Sequence, residues 1–174
     1  MLQKVQNMKS NSTKVYSSKQ ENMIASYLGW KVVTGSGSRD CHPGDIISDS
    51  WMCECKTHVE SGHKIVFLSS VWDKISKEAS SKFKYPVLFV DDGSQKIDNT
   101  WCLLKYRSVC PDTVTVLSYP YNVDKNINFD SDKMKTYIKR LSNSSDECIV
   151  VSVSMNQETL GIMTLECFRN MFGD

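Results

Sequence analysis

No stretch of this 174-residue sequence approaches the roughly 18 consecutive apolar residues of a membrane span; the longest, 86–90 and 149–153, have the length of strands. The first twenty residues carry Lys4, Lys9, Lys14 and Lys19 but no apolar block, so they do not read as a secretory signal. Neither charge sign dominates: 21 Lys and Arg face 20 Asp and Glu, a formal net charge of +1, and overall charge alone marks no polyanion partner. The glycine-rich run Gly35-Ser36-Gly37-Ser38 is not followed by Gly-Lys-Ser/Thr, which argues against a nucleotide phosphate loop. There is no Gly-x-Ser-x-Gly to support a serine hydrolase, and no local signature supports a Cys/His enzyme. A soluble, cytoplasmic protein with no membrane partner is expected.

What is present suffices for a folded domain. Forty per cent of the residues are hydrophobic and 10% aromatic, enough for a core, and the length suits one domain. Seven cysteines, an odd number in a chain without a secretory signal, suggest reduced thiols. Cys53, Cys55, Cys102 and Cys148 lie in apolar alternating segments and read as small buried hydrophobes. The cluster Cys53-x-Cys55-x-x-His58-x(4)-His63 holds zinc-type ligands at a spacing that matches no common zinc module. Charge is uneven: residues 1–85 hold 12 basic and 8 acidic residues (net +4), residues 86–174 hold 9 and 12 (net −3). A polyanion would therefore favour the first half.

Residues 1–16 read as a flexible basic arm and 17–174 as a single domain. Ser18 and Glu21 suggest a capping box opening a helix that Gly29 closes. Strands are expected at 30–34, 44–48 and 51–56. Leu68, Trp72, Ile75, Ala79 and Phe83 recur at helical spacing. Further strands fit 86–90 and 100–106, and 114–117 reads as a short strand. Residues 122–132 read as a polar loop, Met134, Ile138 and Leu141 as a short helix, 148–163 as a strand, turn and strand, and Leu165, Phe168 and Phe172 as a terminal helix. The order gives an α/β (α+β) fold around a central mixed sheet flanked by helices.

The chemically informative stretch runs from Gly44 to Lys56. A strand alternates its faces, so Trp51, Cys53 and Cys55 point to the core while Glu54 and Lys56 share the other face. Asp45, on a neighbouring strand, stands opposite them. Two carboxylates with the backbone carbonyl of Cys55 supply part of a cage for a hard cation such as Mg²⁺. A metal so held generates hydroxide and stabilises a leaving oxygen at phosphorus, and Lys56 can neutralise the transition state. Glu21, on the face of Ala25 and Leu28, either joins that cation or completes its capping box with Ser18.

This arrangement resembles the PD-(D/E)XK nucleases, and among them the archaeal-type and phage Holliday junction resolvases. The resemblance rests on Glu21 in the opening helix, GSGSRDCHPGDI, then WMCECK, a basic helix, and a proline-led strand at Pro86, and it spans about 17–106. It departs from the family where Gly44 separates Pro43 from Asp45. It implies a restriction-endonuclease-like core with a C-terminal elaboration at 107–174, and an endodeoxyribonuclease of DNA recombination and repair, of phage or viral origin. Asp45, Glu54 and Glu21 would hold Mg²⁺, with Mn²⁺ as a substitute, and Lys56 would be the catalytic lysine. Ser36, Ser38 and Arg39 in the loop, and Lys74 and Lys77 on the second helix, would contact DNA. Paired cuts across a four-way junction need two active sites, so a homodimer is implied. Other readings are a nuclease of flaps, ends or duplex, a non-catalytic DNA-binding module, and a zinc-stabilised interaction domain.

Overall fold

The computed structural model describes residues 2–34, 43–106, 114–121, 123, 125–142 and 148–173, with side chains from Thr13 onward. Helix α1 spans Leu2–Leu28. It begins well before the expected capping box: Ser18 lies inside it, its carbonyl accepting from Asn22 Nδ2 at 2.6 Å. Neither proline nor glycine interrupts residues 2–28, so nothing in the sequence forces a helix start at Ser18. Residues 2–16, read as an arm, are helical. Gly29, at φ 73°, ends it where a left-handed residue is needed.

The chain continues through β1 (Lys31–Val32), β2 (Ile46–Ile47), β3 (Trp51–Lys56), β4 (Ile65–Leu68), α2 (Ser69–Ser81), β5 (Tyr85–Asp91), a 3-10 turn (Ile97–Asn99) and β6 (Thr100–Lys105). The remainder adds β7 (Thr115–Ser118), β8 (Asn126–Phe129), α3 (Ser131–Leu141), β9 (Ile149–Met155), β10 (Glu158–Thr164) and α4 (Leu165–Phe172). Eight strands form a mixed sheet in the order β1-β2-β3-β5-β6-β10-β9-β7. The pairs β3–β5 and β7–β9 are parallel and the others antiparallel. With helices on both faces, this is the expected α/β class. No helix among the described residues is long and apolar enough to cross a membrane.

Two corrections concern β4 and β8, which pair antiparallel as a separate small sheet. Leu68 ends β4, half exposed, and is not part of the α2 stripe; Phe83 lies beyond the helix and is 99% exposed. The buried stripe of α2 is Trp72, Ile75 and Ala79. The polar segment 122–132 contains β8, whose Ile127 and Phe129 are buried between exposed asparagines. Asn126 Oδ1 accepts from the Ser69 amide at 3.1 Å, satisfying one of the free N–H groups that open α2.

Each face of the large sheet has its own core. One joins Met52, Leu88, Trp101, Leu103, Val151 and Ile162 to α2, the β4–β8 pair and α3. The other joins Trp51, Cys53, Cys55, Val87, Phe89, Cys102 and Val150 to α1 and α4. There Trp51 meets Phe168 edge-on (5.0 Å between centroids) and stacks with Trp30 (6.4 Å). Cys53, Cys55 and Cys102 are buried thiols, as expected. Cys148 is corrected: it forms a disulfide with Cys167, joining the start of β9 to α4, with Cα atoms 5.2 Å apart. The two lie 19 residues apart and only the fold brings them together.

Candidate functional site

Strand β3 delivers two of the four expected residues by alternation. Glu54 has the parity of Met52 and so faces the α2 side, while Cys53 and Cys55 go under α1. Because β3 is covered on both faces, Glu54 is 6% exposed. A carboxylate so buried needs positive partners. It has two: Lys56 Nζ at 2.6 Å on Oε1 and Lys74 Nζ at 3.4 Å on Oε2. Lys74, expected on DNA, thus reaches the site, with Glu78 also 3.9 Å away.

Asp45 immediately precedes β2, and its backbone pairs like that of a strand residue. Its amide donates to Cys53 O at 2.7 Å and its carbonyl accepts from Val33 N at 2.9 Å. Its side chain turns back onto β3, where Oδ2 accepts from the Cys55 amide at 2.8 Å. Gly44 makes this possible. It sits at φ 78°, and a Cβ there would lie 2.8 Å from Met52 Cγ and 3.1 Å from Cys53 O. The glycine between Pro43 and Asp45, a departure from the nuclease pattern, is where the chain presses against β3.

Glu21 comes from α1. Burial raises its pKa above the ordinary carboxyl value; the negative charges of Asp45 and Glu54 add to this and Lys56 opposes it. Lys56 shows the reverse balance. Burial alone would lower it, but the Glu54 hydrogen bond and the charges of Glu54 and Asp45 outweigh that, and its pKa is raised. Glu21, Asp45, Glu54 and Lys56 therefore form one electrostatically coupled group. Among the described residues no three His, Cys, Asp or Glu side chains form a ready-made metal cage. The donors are nevertheless all hard carboxylate oxygens, and a cation among them would offset the burial and the repulsion that together raise Glu21. On chemistry the set fits Mg²⁺.

Gln20 was not singled out in the sequence. It is completely buried, and Nε2 donates to Lys56 O at 2.9 Å while Oε1 has no hydrogen-bond partner among the described residues. Its signal was a polar residue four before Ile24, on a stripe that goes into the core. At the adjoining end of β5, Asp91 Oδ1 accepts from Thr57 Oγ1 (2.6 Å) and Gly93 N (2.7 Å). Burial raises Asp91 while those bonds oppose it.

Lys77 stands apart from this group and lines an open cavity of about 520 Å³ with Ser76, Ser80, Ser81 and Lys105. Ser36, Ser38 and Arg39 lie outside the described residues. His58 and His63 stack on each other at 4.3 Å, whereas Cys53 and Cys55 are buried in the core beneath α1. The chain matches no protein-family model, no curated protein and no solved structure.

Proposed function

We propose that the protein is a metal-dependent endodeoxyribonuclease of the PD-(D/E)XK type, acting as a homodimer on branched DNA such as four-way junctions. The observation that carries this reading is the coupled group of Glu21, Asp45, Glu54 and Lys56, gathered from α1, the residue before β2, and β3. The order α1, β1–β2–β3 meander, α2, and a β5 parallel to β3 supports it, since it follows the chain order in which the resemblance places these residues.

Asp45, Glu54 and Glu21 would hold the cation, and the Cys55 amide keeps Asp45 aimed at β3. Bound Mg²⁺ supplies an activated water and a counter-charge for the leaving oxygen in phosphodiester hydrolysis. Lys56, half exposed and held at Glu54, places an ammonium where the phosphoryl oxygens gain charge. Gln20 fixes the main chain of Lys56 from α1, so the lysine is supported from both sides of the sheet.

The test is cleavage of a labelled four-way junction beside linear duplex and a flap, with Mg²⁺ or with EDTA, and with the Asp45→Asn protein in parallel. Metal-dependent paired nicks in the junction, absent in the variant, are expected. Cutting of every substrate would make it a general nuclease of the same chemistry. Cleavage that survives both EDTA and Asp45→Asn would overturn the site.

A further inference from the structure

Helix α2 ends in a hydrogen-bond pattern that normally calls for glycine. The Lys84 amide donates to Ala79 O at 3.0 Å and the Phe83 amide to Ser80 O at 3.2 Å. This is the paired closure in which the residue past the cap adopts the left-handed conformation. That residue is Phe83, at φ 55°. A bulky side chain is strained there, and glycine is the residue that relieves the strain. The ring is also 99% exposed, so burial returns nothing for the strain.

The turn that presents this ring is fixed. Lys84 Nζ donates to Ser48 O and Asp49 O, both at 2.7 Å, and the Tyr85 amide donates to Ser50 O at 2.8 Å. The surroundings are polar: Ser80, Ser81, Lys82, Asp49 and Ser50 are exposed, and Tyr85 is 46% exposed beside the turn. A stable interface between copies buries about 800 Å² on each partner, which two rings, Phe83 and Tyr85, among small polar and charged residues do not offer. A fully exposed aromatic face beside the exposed Lys82 does match a nucleobase, which stacks on such rings whatever its identity.

We propose that Phe83 is a wedge that stacks on a base unpaired or unstacked at a DNA branch. The inference rests on the nuclease reading and names what selects its substrate. Tyr85 lies level with Trp51 in the β3–β5 register, three residues before Glu54. At about 3.3 Å per residue the ring stands on the order of 15 Å from Glu54 along the strands. That is about four to five nucleotides of one DNA strand. The wedge would thus hold the branch a few nucleotides from the bond to be cut.

The experiment titrates a fluorescent four-way junction and a linear duplex of the same sequence, in EDTA, with the wild-type, Phe83→Gly and Phe83→Trp proteins. Thermal melting and sedimentation run beside it. Phe83→Gly is expected to melt about 2–4 °C higher, because it relieves the strained turn. It should lose about tenfold in junction affinity, or about 1.4 kcal/mol, while duplex affinity holds. Phe83→Trp should keep junction affinity. Junction and duplex affinities both unchanged in Phe83→Gly overturn the wedge and leave the nuclease reading standing. A change in self-association without a change in DNA affinity overturns it in favour of an interface between copies. A wild-type protein that binds neither DNA removes the reading on which the wedge rests.

Discussion

The two ends of the eight-stranded sheet are built differently. At one end β1 and β2 are two residues each, and their neighbourhood carries Glu21, Asp45, Glu54 and Lys56. Toward the other, β6, β10 and β9 are six or seven residues long and pair antiparallel over five positions at each contact. Most of their side chains are apolar and buried, and a two-residue turn at Asn156 and Gln157, both at positive φ, joins β9 to β10. Such a turn matches the twist of the flanking strands. Charge repulsion and half-exposed lysines are thus gathered toward the end where β1 and β2 are short, on β3, which itself pairs with β5 over six positions. The charged group and the long antiparallel ladders lie on different strands.

That division can be broken from either side. The largest expected effect is on chemistry: Glu54→Gln should abolish cleavage of the junction while the melting midpoint moves little. The lysines that Glu54 pairs with are each about half exposed and can turn to water. A collapse of the fold in this variant, seen by circular dichroism, would show that the site end is structural as well. Next in size, Ile162→Ala removes a completely buried side chain of β10 and should cost about 2–5 kcal/mol in chemical denaturation. Cleavage per folded molecule should stay unchanged, and a proportionate loss of activity would erase the distinction between the two ends.

The smallest effect concerns Glu21 and is read through pH. Its folded-state pKa is raised above 4.5, so the native protein holds a proton that the unfolded chain releases. In metal-free protein, stability should therefore fall as pH rises from about 4.5 through the raised value, then level off. Glu21→Gln should remove that fall, measured as melting midpoint against pH in EDTA. A pH profile unchanged by the substitution would separate Glu21 from the acidic group.

Much of the site was legible because strand alternation is a strong local rule. WMCECK runs as a strand at its expected bounds, and the hairpin at 148–163 forms as β9 and β10. What escaped detection depends on partners far away in the chain. The IVFL of β4 becomes a strand only by pairing with NINF of β8, some sixty residues later, and each is only four residues long. Phe83 fits the helical spacing of Trp72 and Ala79, but the helix ends at Ser81 and its ring leaves the stripe. Gln20 sits beside Glu21, yet only the fold shows its amide meeting the Lys56 carbonyl. Glu54 was placed on the correct face, but its burial beneath α2 depends on the crossover to β5.

The bond from Gln20 to Lys56 O couples motions as well as positions. The helix bearing Glu21 and the strand end bearing Lys56 share it, with the Gln20 side chain completely buried. Lifting α1 away strands a carbonyl and a carboxamide together, so a fluctuation that displaces Glu21 also frees the end of β3. Breathing of the helix and dissolution of the acidic group are then a single event. Between such openings all four charged residues stay in place together.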